Sequence, residues 1–340
     1  MERGNFYGRK ERMARFYNSL KNYVGDNELF KCGDVLYVST RNNGSFDMII
    51  TADGIHRFCD LYRAKQEEGY TVVKKASALA SYAGKDIRVE SDEVANAFTP
   101  DMPYFKDIII SGAEISQTVT MKAEGRITLD GISVSGEKGS SNGKITFAAD
   151  EVALRNITAV DGSTLYNAFE GYQRTDDPKY EGLKWLVAEN LDIDCPSLTH
   201  NIINVYTPAE GAEITVKDSM FNLTVDNTNV LRMANYLNAE NVSIIFDNCD
   251  WTYENGLTKN DWRWAGLLIY QPASSDIALN GDLSKLKTWT LRFRNCRYNG
   301  VKVTENAFGE HSQVSYLYNI GNGGAVTDPT AVEGLRIIFE

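Results

Sequence analysis

Proline, cysteine and histidine are scarce in this sequence, and each scarcity excludes something. Seven prolines in 340 residues, with no low-complexity tract, leave no composition that would keep a long segment from folding. The five cysteines, Cys32, Cys59, Cys195, Cys249 and Cys296, include no C-x-x-C pair. An odd, dispersed set points to reduced thiols rather than a disulfide framework. Three scattered histidines provide no zinc spacing, so neither a metal nor another cofactor is expected. No apolar run approaches the roughly eighteen residues of a membrane-crossing helix, so no membrane insertion is expected. Positive charge is also short. Lys and Arg number 35 against 46 Asp and Glu, a net charge of −11, and a nucleic-acid footprint needs the opposite sign. The opening residues from Met1 to Lys10 carry charges and no apolar core. The chain is therefore expected to be made in a cytoplasm and used without a secretory signal.

The first hundred residues suggest a small α+β domain. Met13, Phe16, Tyr17, Leu20, Tyr23 and Val24 recur at helical spacing, predicting an amphipathic helix over 9–24. Arg9, Lys10, Arg12, Arg15 and Lys21 fill its other faces. They form either an ordinary solvated face or an attachment surface for an acidic partner. A hairpin is expected between 34–40 and 46–51 because Asn43-Gly44 is a strong turn pair between strand-like runs. A short helix near Ile55–Lys65 and a strand at Tyr70–Lys74 should follow. Pro100 and Pro103 suggest a boundary, giving domains 1–100 and 105–340. The first contains neither a phosphate loop nor a nucleophile elbow.

What fills the remainder is a repeat. Its pattern is apolar, any, apolar, any, then Gly, Asn or Asp, then a small or apolar residue, any, and apolar again. The fifth position is Gly112, Gly131, Asn156, Asn190, Asp218, Asn248 and Asn295 in turn, at intervals of 19, 25, 34, 28, 30 and 47 residues. Period-two alternation turns two apolar side chains to one face of a short strand. Gly, Asn and Asp tolerate left-handed backbone, so the fifth position can turn a corner and return the next apolar residue to the same interior. Further strand-like runs at 163–169, 201–207, 228–234, 265–271 and 314–320 recur at the same stage of each repeat. A mainly β solenoid, a parallel β-helix, is expected over a sandwich or jelly roll.

Stacked repeats turn equivalent positions into lanes about 4.8 Å per step. The outward residue before each corner reads Asp130, Arg155, Glu189, Lys217, Asp247 and Arg294, strictly alternating in sign; a stabilising ladder is expected. The lane past the corner reads Ser133, Thr158, Asp192, Met220, Asp250 and Arg297. Its two carboxylates lie two steps apart, wide for a glycosidase pair, so no catalytic residue is assigned. Cys249 and Cys296 share one inward position, as stacked small hydrophobes or as a redox or metal pair. The interval between Asn248 and Asn295 holds Trp251, Tyr253, Trp262, Arg263 and Trp264. This cluster could stack on sugar rings, contact a protein or cover the core.

The seven corners resemble those of the right-handed parallel β-helix, pectin-lyase-like superfamily over residues 105–340. That superfamily includes polysaccharide lyases and hydrolases as well as tailspikes and appendages of bacteriophages. The resemblance implies one of two functions. One is a non-enzymatic virion structural protein, a capsid decoration or tail or fibre appendage, held by its N-terminal domain. Its partners would be other virion proteins or further copies of itself in a homotrimer. The other is a carbohydrate-active β-helix, an enzyme or a module for surface glycans. Neither a calcium-binding carboxylate cluster nor paired aspartates with a histidine can be placed on the pattern.

Overall fold

In a computed structural model of the chain, the residues described are 36–38, 48–51, 54–57, 69–135, 143–160, 165–172, 180–194, 198–222, 229–234, 239–252, 265–271, 283–298, 300–304, 318–322, 325–327 and 336–340. They fall into two compact units, Met1–Tyr70 and Thr71–Glu340.

In the first unit, strands Leu36–Val38, Met48–Thr51 and Gly54–Arg57 form an antiparallel sheet. The first two are the expected hairpin, with Tyr37 opposite Ile49. The third replaces the beginning of the helix expected near Ile55–Lys65. There the backbone pairs with the preceding strand, Ile55 opposite Ile50 and His56 opposite Ile49. A backbone ladder that sets Ile55 opposite Ile50 suits β-branched residues better than a helix of marginal length. The helix read at 9–24, with Arg9, Lys10, Arg12, Arg15 and Lys21, lies outside the described residues.

The second unit is mainly β, with long parallel sheets, an arrangement consistent with a solenoid. Its strands fall in three rows. A pre-corner row runs through Ile108–Ser111, Arg126–Asp130, Glu151–Ala159, Leu183–Asp194, Pro208–Lys217, Ser243–Asp247 and Thr290–Arg294. Two of these strands continue through their corner into the post-corner row, which also holds Ser133–Val134, Met220–Asn222, Asp250–Thr252 and Arg297–Tyr298. The third row is Val119–Lys122, Gly143–Ala148, Leu165–Gly171, Leu198–Val205, Asn229–Ala234, Ala265–Gln271 and Tyr318–Asn322. Within each row successive repeats pair in parallel, so each repeat contacts chiefly the one before and the one after.

The corners are as the sequence predicts. Gly112 and Gly131 have φ of 65°, and Asn156, Asn190, Asp218, Asn248 and Asn295 have φ between 48° and 55°. Left-handed backbone at five non-glycine residues in equivalent places is a built feature of the repeat rather than isolated strain.

The parallel sheet extends beyond the repeats visible in the sequence at both ends. Ile87–Val89 pairs with Ile108–Ile110, and Thr71–Val72 with Ile87–Arg88, so Pro100 and Pro103 lie inside the second unit. A one-turn helix, Asp92–Ala95, begins at Ser91, whose hydroxyl accepts from the Val94 amide at 3.4 Å. At the other end Arg336–Phe339 pairs in parallel with Thr290–Phe293. Its sequence Ile337-Ile-Phe-Glu340 repeats Ile244-Ile-Phe-Asp247 almost residue for residue.

One core fills the stack. The lane Ile127, Val152, Leu186, Ile214, Ile244, Leu291 is buried throughout. Phe246 stacks on Phe293 at 5.4 Å and Phe293 on Phe339 at 5.6 Å. Each such side chain removed from water contributes about 1.5–3 kcal/mol.

Candidate functional site

Two surfaces could carry function: the face holding the corners, and the polar face of the third row. On the first, register pairs Asp130 with Arg155, Arg155 with Glu189, Glu189 with Lys217, Lys217 with Asp247 and Asp247 with Arg294. The expected lane is therefore real. Lys217 Nζ lies 3.0 Å from Glu189, and Arg294 lies 3.1 Å from Asp247. Arg155 and Glu189 are 3.7 Å apart, an ion pair beyond hydrogen-bond range. Glu340 adds a further rung of the correct sign, 3.0 Å from Arg294. The Arg294 guanidinium holds the Glu340 carboxyl below its ordinary range.

The corner amides form a second ladder beside the charges. Asn190 donates to Asn156 at 2.8 Å, and Asn156 to the Asp130 carboxylate at 2.7 Å. Asn295 donates to Asn248 at 3.1 Å, and Asn248 to the Asp218 carboxylate at 2.8 Å. An amide donates through one atom and accepts through another, so it can sit anywhere along such a run. A carboxylate only accepts, and so ends it. Both ladders end on aspartate. Asp130 thus belongs to the amide ladder as well as to the charge lane.

Past the corner, Asp192 and Asp250 are separated by Met220, which is 68% exposed. Asp250 faces Arg297 on its other side. No second carboxylate lies on an adjacent rung of that lane. Of the residues singled out between Asn248 and Asn295, Trp251 is fully buried against Phe246 at 5.3 Å, Phe293 at 6.2 Å and Phe221 at 6.4 Å. At Trp251, core packing is the reading the geometry supports, and the ring offers no surface to a partner or a sugar. Tyr253, Trp262, Arg263 and Trp264 lie outside the described residues. Cys249 and Cys296 are buried free thiols in the lane that also holds Ile132, Ile157, Leu191 and Ser219. Their sulfurs lie 3.4 Å from the Val216 carbonyl and 3.3 Å from the Phe246 carbonyl, and burial pushes the Cys249 thiol up. Among the described residues no group of three or more His, Cys, Asp or Glu could hold a metal.

The third row differs. Alternation puts Phe169, Ile203 and Leu231 on one face and Glu170, Asn204 and Arg232 on the other, in adjacent register. The second face is also enclosed: Glu170 is 8% exposed and Asn204 0%. Glu170 accepts from Asn167 at 2.6 Å and from Asn204 at 3.4 Å, and Asn201 donates to Asn167 at 2.8 Å. The side-chain oxygen of Asn204 has no hydrogen-bond partner. Asp250 Oδ1 and Trp251 Nε1 are buried without a partner in the same way, and leaving such an atom dry costs about 1–3 kcal/mol. Lys144, earlier in the same row, is nearly buried, and burial lowers its ammonium pKa. Chemically this is a carboxylate and amide cluster with one spare acceptor and a guanidinium one rung away. It suits recognition of hydroxyl or amide donors. Sequence reasoning placed these strands but missed the cluster. The available signal was the recurring asparagine near the start of successive strands, at Asn167, Asn201 and Asn229.

No protein-family model matches this chain, and no curated protein or solved structure shows significant similarity to it.

Proposed function

We propose that this chain is a right-handed parallel β-helix with a structural, non-enzymatic role: a virion decoration protein or tail or fibre appendage, attached through its N-terminal region. The observation that carries this reading is the unbroken ladder of Asp130, Arg155, Glu189, Lys217, Asp247, Arg294 and Glu340, flanked by amide ladders that end on Asp130 and Asp218. The signs alternate at every rung, and ion pairs join Arg155 with Glu189, Glu189 with Lys217, Asp247 with Arg294 and Arg294 with Glu340. A face built that way stiffens a rod and fixes its register, as a projecting scaffold requires. The test is mass spectrometry and imaging of purified virus particles from the source. Stoichiometric presence of the chain supports the reading, and its absence from particles overturns it.

A second reading, a carbohydrate-active β-helix, is favoured by the buried Glu170, Asn167 and Asn204 cluster with its unpaired oxygen. Incubation with a polysaccharide panel, with detection of bound or cleaved product, tests it. Binding or turnover abolished by Glu170→Gln would favour this reading over the first.

A further inference from the structure

The inward lane just past the corner begins with aliphatic residues, Ile132, Ile157 and Leu191. Its later members are Ser219, Cys249 and Cys296. The last two stand on adjacent rungs. Asp247 is opposite Arg294 before the corner and Asp250 opposite Arg297 after it, with two residues between on each strand, so Cys249 lies opposite Cys296. The Arg297 amide donates to the Cys249 carbonyl at 2.8 Å and ties the two backbones at that level. Both thiols are buried, with exposures of 1% and 0%.

The two sulfurs occupy equivalent places. The Cys249 thiol donates toward the Val216 carbonyl at 3.4 Å and the Asp247 carbonyl at 3.6 Å. The Cys296 thiol donates toward the Phe246 and Arg294 carbonyls, both at 3.3 Å. Val216 and Phe246 are register partners, as are Asp247 and Arg294. Each acceptor of the second thiol is therefore that of the first, moved along by one rung. One rung is a strand spacing of about 4.8 Å. Disulfide-bonded residues have Cα separations of about 4.4–6.8 Å, so the backbone already suits a bond and only the side chains must turn. A disulfide is uncharged, as two stacked thiols are, so it suits the same apolar interior.

The pair is also unequal. The neighbouring Cys249 thiol lowers the pKa of Cys296, while burial raises that of Cys249. Cys296 is thus the better nucleophile. Beside it the backbone is held by a two-residue pairing, Arg297–Tyr298 with Val301–Lys302, and both Val301 and Lys302 are exposed. A pairing so short opens at little cost, which gives a small reagent its route to Cys296.

We infer that Cys249 and Cys296 are a disulfide-forming pair that staples two rungs of the stack together. The co-reactant is a low-molecular-weight disulfide of the glutathione class. The Cys296 thiolate attacks one of its sulfurs and releases one small thiol, which takes the Cys296 proton. The Cys249 thiol then gives up its proton and attacks the Cys296 sulfur, releasing the second small thiol. Two protein thiols and one small disulfide become one protein disulfide and two small thiols. The bond spans the 47-residue interval between Asn248 and Asn295, the longest between corners, and so removes freedom from the unfolded chain. The inference rests on register and is independent of whether the chain belongs to a virion.

The test treats the full chain with oxidised glutathione, once in the native state and once during refolding from denaturant. The far-UV spectrum is the control for folding. Free thiols are then alkylated in denaturant and the peptides mapped without reduction. A Cys249–Cys296 linked peptide is expected from at least one treatment. The linked chain should melt about 5 °C or more above the reduced one, and dithiothreitol should reverse the gain. In Cys249→Ala the reaction should stop at a glutathione adduct on Cys296, with no such gain. Cys249 and Cys296 both still alkylated after either treatment of a folded chain would overturn the inference. So would a linked chain that melts no higher than the reduced one, or an equal gain in treated Cys249→Ala.

Discussion

The corner face and the third row are made of the same parallel strands, yet they treat polar groups in opposite ways. On the corner face, Arg155, Glu189 and Lys217 stay a quarter to a third exposed and answer one another across rungs. On the third row, Glu170 and Asn204 are enclosed, and one acceptor is left over. Water makes the first arrangement inexpensive and nearly optional rung by rung. Enclosure makes the second expensive, and such a cost is normally retained where something binds or where a network is completed by a partner. The exposed face therefore sets register, and the enclosed face holds Glu170 and Asn204 away from water.

Both faces rest on one core, so the largest effect should come from there. Trp251→Ala should cost about 3–5 kcal/mol in denaturant unfolding. A cost below about 1 kcal/mol would return Trp251 to the list of surface residues. Next come substitutions on the enclosed face. Glu170→Ala strands the donors of Asn167 and Asn204 and should destabilise by about 2–4 kcal/mol. Asn204→Leu removes the unpaired oxygen together with a long donor bond to Glu170, so it should cost less than Glu170→Ala, about 1 kcal/mol, in thermal melts. If Asn204→Leu costs as much as Glu170→Ala, the oxygen has a partner in solution.

The corner face should respond less. Asn190→Ala keeps the left-handed corner without its ladder bond and should cost about 1–2 kcal/mol, whereas Asn190→Gly should lose only part of that. Equal losses would mean that the bond rather than the backbone holds the corner. The smallest effect is expected for Glu189→Lys, which puts three cations in a row with Arg155 and Lys217. About 0.5–1 kcal/mol should be lost at low salt, and most of it recovered at 1 M salt, where screening is short-ranged. A loss unaffected by salt would show that packing, not charge, orders that lane.

The sequence made the corner face legible because its code is local. Two alternating apolar residues, a charged residue and a left-handed-tolerant corner fall within eight positions, and neighbouring copies fix the register. The rung at Glu340 is legible only in Ile337-Ile-Phe-Glu340, which nearly duplicates Ile244-Ile-Phe-Asp247. The polar cluster of the third row escaped for a different reason. Glu170 and Asn204 meet only through cross-strand register, 34 residues apart along the chain, and no periodic rule counts across intervals that vary so widely. Trp251 was grouped with its tryptophan-rich neighbours by composition, whereas its place in the alternation after Asn248, at the position also held by Phe221 and Tyr298, already marked it as inward. The strand Gly54–Arg57 was mistaken for helix because a short run carries both periodicities until its pairing partner is known.

Parallel rung-on-rung stacking is the central claim, and a distance across one step tests it most directly. Thr158 and Asp192 are exposed register partners on adjacent rungs of the post-corner row, and Asp250 lies two rungs beyond Asp192. A short bifunctional thiol reagent, applied to the native full chain and mapped by peptide mass spectrometry, should link the cysteines of Thr158→Cys/Asp192→Cys. It should leave those of Thr158→Cys/Asp250→Cys unlinked. Cross-linking of the distant pair, or failure of the adjacent one in a folded chain, would contradict the stack.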